Sequence, residues 1–197
     1  MFTAKDVMSL RQRTGAGMME AKKALEETKG DMDKAAETLR VRGIARADKR
    51  SGKQTSEGTI ASYIHHNGKV GVIVEINCET DFVARTDDFK TLAREIAMHI
   101  ASAKPVAVDK DAVPAERIES ERRIAEEQAK ASGKPEAIIQ RMVEGKVESY
   151  YKDNCLLYQG WVKEPKKPIG ELIKEASAKL GEKIQVRRFV RFEMGEE

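Results

Sequence analysis

The dipeptide Asn67-Gly68 stands between two stretches rich in β-branched residues, GTIASYIHH at 58–66 and KVGVIVEINC at 69–78. Asn-Gly in this setting is the strongest short-range signal for a β-hairpin, because both residues tolerate the positive φ of tight hairpin turns. The pattern therefore predicts two antiparallel strands near the middle of the chain. The stretch EKIQVRRFVRFEM at 182–194 alternates in the manner of a final strand.

The first fifty residues have helical periodicity instead, and they predict a bundle of three short helices. Thr3 and Asp6 have the spacing of a capping box at the first helix start, and Asp31 or Asp33 can cap the third. The glycines expected to break or end these helices are Gly15, Gly17, Gly30 and Gly43. A bundle of about 45 residues is near the lower limit for independent folding.

The composition changes at residues 45–58, ARADKRSGKQTSEG, which are basic and then small and polar, as in a linker. Apolar periodicity beyond it predicts further helices at 87–102, 114–130, 132–153 and 168–181. Several helices with few strands indicate an α+β fold. We expect residues 1–54 to form a three-helix docking domain with a basic linker, and residues 55–197 to form an α+β core domain with a small antiparallel sheet.

The composition of the chain limits the classes of function that it can have. A net charge of +3 with 35% charged residues is typical of a solvated globular protein and is too small to indicate nucleic-acid binding. The N-terminus lacks a signal-peptide pattern, and no stretch approaches the ~20 apolar residues of a membrane span, so we expect a cytoplasmic protein without membrane contact. Cys78 and Cys155 lie far apart, which favours reduced thiols over a disulfide.

No pattern of catalytic or metal-binding residues is present, so we expect neither an enzyme nor a bound cofactor or metal. GAGMMEAKK at 15–23 lacks the phosphate-loop spacing and follows no strand. His65 and His66 are adjacent near a strand end, so alternation should point them to opposite faces. His99 falls within a predicted helix, where a lone histidine is usually structural or on the surface.

Two apolar positions have alternative interpretations. Met18, Ala21 and Leu25 share one face of the second helix, whereas Met19 points about 100° away, so Met19 either widens the core stripe or offers a flexible contact to a partner.

Phe82 comes just past a strand end. If Thr80 caps a helical turn there, Phe82 either packs inward or projects outward as a wedge beside Asp81.

Three segments carry a resemblance to bacterial elongation factor Ts: LRQRTGAGMMEAKKAL near the start, EINCETDFVAR in the middle, and SGKPEAIIQRMVEGK followed later by RRFVRFEMGE. They cover nearly the whole chain in family order, and the TGAGMM and TDFVA motifs together are highly specific. The resemblance implies a guanine-nucleotide exchange factor that binds elongation factor Tu, in its GDP-bound and nucleotide-free states, during translation elongation.

The resemblance also implies site residues. The N-terminal bundle should be ubiquitin-associated-like and dock on the partner through Leu10, Arg13, Met18 and Met19. The segment Thr80, Asp81, Phe82 and Val83 should insert Asp81 and Phe82 into the partner and disturb its magnesium site. His99, in MHIASAKP, matches a family position near the inserted phenylalanine.

The chain departs from longer relatives in having one copy of the core subdomain, since TDFVAR runs directly into TDDFKTLAREIAMHIASAKP. Short members are similar and pair as homodimers, so the resemblance implies a homodimer, with the core as the dimerisation domain.

Two other functions compete with nucleotide exchange. An RNA-binding accessory protein would use the basic stretch at 40–53, with steep salt dependence and no role for Phe82. A peptide-binding helical adaptor would use only the Met18 and Met19 surface and would work with residues 1–54 alone.

Overall fold

The computed structural model describes residues 2–131 and 133–196, so Met1, Ser132 and Glu197, which belong to predicted segments, lie outside the described residues. Within these ranges the helices are α1 (Ala4–Thr14), α2 (Met18–Glu27), α3 (Met32–Lys49), α4 (Asp81–Ala84), α5 (Asp87–Ala103), α6 (Ala115–Lys130), α7 (Glu136–Asn154) and α8 (Ile169–Leu180). The strands are β1 (Glu57–Ile64), β2 (Val70–Cys78), β3 (Gly160–Trp161), β4 (Glu164–Pro168) and β5 (Gln185–Glu193). The predicted α+β class is confirmed.

Helices α1 to α3 form the predicted bundle. Its start is a capping box, in which the Asp6 carboxylate accepts from the Thr3 backbone N–H at 2.7 Å and the Thr3 hydroxyl accepts from the Asp6 N–H at 3.3 Å. Asp31, rather than Asp33, caps α3 and accepts from the N–H of Asp33 and of Lys34. The bundle core consists of Val7, Leu10, Ala21, Ala24, Leu25, Ala35 and Leu39.

Helix α3 is longer than predicted, because it continues through Gly43 to Lys49 and takes up the first part of the expected linker. A Cβ added at Gly43 would lie 2.8 Å from the Ala178 Cβ of α8. The glycine therefore permits close packing between two helices, a tertiary reason that overrides its poor helix propensity.

A three-stranded sheet has the order β1-β2-β5, and β1 and β2 form the predicted hairpin. The Gly68 N–H donates to the His65 carbonyl at 2.8 Å, and Gly68 has a φ of 69°. Both histidines lie in this connection beyond β1, with ring centroids 4.2 Å apart. The expectation that they point to opposite faces is wrong, because strand alternation has already ended at Ile64.

The predicted helices after the hairpin are confirmed as α5 to α8, with their ends within a few residues. The apolar stripe of α5 is buried, at 5% exposure or less for Phe89, Leu92, Ile96 and Ile100. Helices α6 and α7 pack against each other around Ala125, Ala129, Ile139 and Val143. No helix among the described residues has the length and apolarity needed to span a membrane.

The antiparallel pair β3-β4 was not predicted. It is short, and the sequence EPKKP of β4 has neither apolar alternation nor β-branched residues, so no local pattern indicates it. Both cysteines are free thiols, as expected, and both are buried.

The chain divides into two compact units. The first contains the chain through Ile60, Glu75–Ala93 and Leu172–Val186, and the second contains Ala61–Val74, Arg94–Glu171 and the chain from Arg187. Within the first unit, ion pairs of 2.7 Å between Lys174 and Asp48 and 3.3 Å between Arg40 and Glu175 join α3 to α8. The predicted domains at 1–54 and 55–197 stay a prediction, as does the ubiquitin-associated-like nature of the bundle.

Candidate partner-binding site

We call residues 80–85 the Phe82 turn. Glu79 alone separates this turn from the end of β2 at Cys78. Thr80 has extended backbone geometry and its hydroxyl accepts from the Val83 N–H at 3.4 Å, so it is the N-cap of the single-turn helix α4. Ala84 is buried beneath the turn, and Val83 is half-buried. The condition considered from the sequence, that Thr80 caps a helical turn, is therefore met.

Phe82 projects from this turn and is 78% exposed, more than any other large apolar side chain in the described part of the chain. Exposing a phenylalanine ring costs hydrophobic free energy unless a partner covers it. Asp81 is half-buried and pairs with Arg85 at 2.8 Å across one helical turn. Of the two alternatives for Phe82, the structure excludes inward packing.

Two carboxylates hold the base of the turn. Glu182, just after α8, accepts from the backbone N–H of Glu79 at 3.1 Å and of Thr80 at 3.0 Å. Glu79 accepts from the Lys183 N–H at 2.7 Å and from the Arg50 guanidinium at 2.9 Å. The Lys183 N–H, followed by Arg50, holds the pKa of the Glu79 carboxyl below its usual range. The turn is therefore held by two other segments of the first unit, one that contains Arg50 and one that contains Glu182 and Lys183.

Cys78 adds a further contact under the turn. Its thiol donates to the Thr80 carbonyl at 3.1 Å. Burial, followed by the nearby Glu182 carboxylate, raises the pKa of Cys78 to about 11, so this sulfur is a protonated donor at neutral pH. The cysteine is thus a structural residue and not a nucleophile.

The predicted contacts in the bundle differ in accessibility. Met19 is 74% exposed and Met18 is 44% exposed, so Met18 lies only partly on the core face to which its periodicity assigned it. Arg13 is exposed at the end of α1 and pairs with Asp33 at 2.8 Å. Leu10 is completely buried, so in this conformation it supports the bundle from within and does not contact a partner directly.

His99 has no exposed surface and lies in the second unit, so in this conformation it does not contact a partner directly either. Its Nε2 is 3.1 Å from Oε1 of the buried Gln159, and its Nδ1 has no hydrogen-bond partner. Burial lowers the pKa of His99, so the imidazole is neutral at neutral pH. The Gln159 amide donates to the carbonyls of Ala103 and Asp153, which ties α5 to the end of α7.

Sequence reasoning missed Glu79, Glu182, Arg50 and Gln159. Each acts through a partner tens of residues away, and none belongs to a local pattern that would single it out. Within 2–131 and 133–196, no cluster of three or more His, Cys, Asp or Glu side chains has a geometry suited to a metal ion.

Comparison of the chain with known proteins identifies its family. The family model described as Elongation factor TS matches residues 2–196. The Elongation factor Ts of Fervidobacterium nodosum is 55% identical over 195 residues, which cover 99% of each chain. That of Thermosipho melanesiensis is 54% identical over 196 residues, which is 100% of each chain after rounding. That of Heliobacterium modesticaldum is 56% identical over 196 residues and covers 91% of the relative. The chain belongs to the elongation factor Ts family and is a factor of translation elongation.

Proposed function

We propose that the chain is a guanine-nucleotide exchange factor that binds elongation factor Tu in its GDP-bound and nucleotide-free states and promotes GDP release. The observation that carries the proposal is Phe82, which is 78% exposed on a capped turn in a member of the elongation factor Ts family. A large apolar side chain held in water is suited to enter a partner. Translation elongation takes place in the cytoplasm, which is the location we propose.

The mechanism is thermodynamic coupling and makes or breaks no covalent bond, so we propose a binding protein and not an enzyme. If the factor binds nucleotide-free elongation factor Tu more tightly than the GDP complex, it weakens GDP binding by the same ratio. Phe82 would enter the partner, and the neighbouring Asp81 would disturb the partner's magnesium site. Because Asp81 pairs with Arg85, that carboxylate would exchange an intramolecular ion pair for new contacts.

The bundle would supply a separate docking surface, made of Arg13, Met18 and Met19. Methionine suits such a surface, since its flexible thioether side chain adapts to the partner. Buried Leu10 would support this surface from inside the bundle. His99 would act in the same indirect way, by holding α5 through Gln159.

The charges on α3 and on Arg50, the residue that follows it, argue against the RNA-binding alternative. Arg42 pairs with Glu27 at 2.6 Å, Arg46 pairs with Glu20 at 2.5 Å, and Arg50 pairs with Glu79. These carboxylates neutralise much of the basic stretch that would have to contact phosphates. RNA binding also gives Phe82 no role.

We further propose a homodimer formed through the open face of the sheet in the second unit. Ile64 on β1, Ile73 on β2, and Val190 and Phe192 on β5 are 42–66% exposed. The alternating residues Val72 and Val74 are buried, so the exposed side chains belong to the opposite face of the sheet. An apolar sheet face of this kind is typical of a protein interface.

Light scattering at micromolar concentration tests the dimer. We expect a mass about twice the 22.0 kDa of one chain, and a shift towards that single-chain mass for Phe192→Asp, which places a charge in the proposed interface. A wild-type protein that scatters only as a 22.0 kDa species would contradict the dimer.

Stopped-flow release of fluorescent GDP from elongation factor Tu tests exchange itself. We expect wild-type protein to accelerate release in a saturable manner, with little dependence on added RNA. Absence of acceleration by a folded wild-type protein would refute the proposal. Residues 1–54 alone should not accelerate release, since they lack the Phe82 turn, whereas a peptide-binding adaptor would need only that part.

A further inference from the structure

The Glu182 carboxylate takes three hydrogen bonds from two consecutive residues. Besides the backbone N–H groups of Glu79 and Thr80, it accepts from the Thr80 hydroxyl, with Oγ at 2.6 Å from Oε1. Hydrogen bonds to an ionised carboxylate are shorter and stronger than neutral ones. One side chain thus fixes both the backbone and the side chain at the start of the Phe82 turn.

Glu182 is itself fixed at the end of α8. Gly181 has a φ of 76°, a left-handed conformation that turns the chain after the helix, and its N–H donates to the Ser177 carbonyl at 2.9 Å. The buried Ser177 hydroxyl then donates to the Glu182 carbonyl. The carboxylate therefore approaches the turn from a backbone with little freedom to move.

The direction of the Thr80 hydroxyl follows from these contacts. A hydroxyl has one proton, and an ionised carboxylate can only accept, so Thr80 donates to Glu182. The Thr80 oxygen is then left with lone pairs to accept from the Val83 N–H, which caps α4. Removing the carboxylate frees the hydroxyl to rotate and weakens the cap under Phe82.

We propose that Glu182 is a positioning residue for nucleotide exchange, holding residues 79 and 80 so that Phe82 stays in the geometry that enters the partner. This inference rests on the proposed exchange function. Glu182 acts through Phe82 and contributes nothing to the docking surface of Arg13, Met18 and Met19. Its loss should therefore lower the maximal rate of GDP release more than the concentration of factor needed for half that rate.

A double-mutant cycle on the GDP-release assay tests the inference, with wild-type protein, Glu182→Gln, Phe82→Ala and the double variant. The glutamine has the size of the glutamate but lacks its charge and presents an NH₂ group to the N–H donors. We expect Glu182→Gln to lower the maximal rate about tenfold, the scale of one charge-assisted hydrogen bond, with the half-saturating concentration changed less than twofold. In the Phe82→Ala background the same change should have no further effect.

Glu95→Gln is the matched control, since it removes a partly exposed carboxylate that pairs with Lys163 at 2.8 Å, and both residues belong to the second unit. It should leave release unchanged, and circular dichroism should show all variants folded. If Glu182→Gln does not fold, Glu182→Asp takes its place, because it keeps the charge but withdraws it by one methylene.

Each remaining outcome is decisive. Equal losses from Glu182→Gln in both backgrounds would assign Glu182 to general stability and overturn the inference. A fully active Glu182→Gln beside a wild-type protein that accelerates release would overturn the inference and leave the exchange function intact. A wild-type protein without effect on GDP release would overturn both.

Discussion

Phe82→Ala should separate the stability of the fold from its action on a partner. Because only about a fifth of the residue is buried, truncation should cost folding about 0.3–0.7 kcal/mol. Complete burial of a phenylalanine stabilises by roughly 1.5–3 kcal/mol, and scaling this to the 78% exposed fraction leaves about 1.2–2.3 kcal/mol for a partner to gain. At about 1.4 kcal/mol per factor of ten, we expect GDP release to slow by about 7- to 45-fold.

The assay is stopped-flow release of fluorescent GDP at increasing concentrations of factor, beside a urea unfolding curve for each variant. Val41→Ala is the control, because Val41 is 58% exposed on α3 and belongs to neither proposed contact. It should retain wild-type release. The reasoning would be refuted if Phe82→Ala exchanged GDP at the wild-type rate, or if its unfolding midpoint fell enough to explain the lost activity.

Three further predictions concern other parts of the chain. Met19→Gln should weaken binding to elongation factor Tu about 3- to 30-fold, measured by titration calorimetry, and should leave the unfolding curve unchanged, since the side chain is 74% exposed. The control Met8→Gln on α1 should bind normally, and equal weakening by both variants would argue against a specific docking surface. Lys104, followed by Arg191, lowers the pKa of Glu193 from 4.5 to about 2, so the contribution of this carboxylate to stability is complete above pH 4.5 and is lost as the pH falls towards 2. Glu193→Gln should therefore flatten the acid-unfolding curve between pH 4.5 and 2, and an unchanged curve would contradict this prediction. The NMR titration midpoint of His99 should lie below 6.5, because burial lowers its pKa. The unfolded state then takes up the proton first, so the free energy of unfolding should decline as the pH falls below 6.5; a midpoint at or above 6.5 would contradict the buried position.

The sequence predicted the elements whose signals are local. The capping box at Thr3, the Asn67-Gly68 hairpin and the buried stripe of α5 each depend on residues within a few positions of one another, and all are confirmed. The predicted helix end at Gly43 is wrong because the reason for that glycine is Ala178, far away in the chain. Propensity alone cannot detect such a contact.

The candidate site was predictable only in part. The TDFV segment could be found by its resemblance to a family, and the Thr80 cap by its residue type. Its support by Glu182 could not, because about a hundred residues separate the carboxylate from the N–H groups that it accepts from. Likewise, the resemblance predicted a partner contact at Leu10 and a position near the inserted phenylalanine for His99, and it could not indicate that both side chains have no exposed surface.

The continuity of α3 through Gly43 to Lys49 also sets a rule for protein engineering. One residue inserted between Gly43 and Arg50 would turn Arg50 by about 100° and move it about 1.5 Å along the helix axis, which would break its ion pair with Glu79. A fluorescent tag or purification epitope should therefore not be placed in that helical stretch, although its composition is that of a flexible linker. The connection at Asn67 and Gly68 is the better place to test, because both residues are exposed and an added Cβ at the glycine meets nothing within 4 Å.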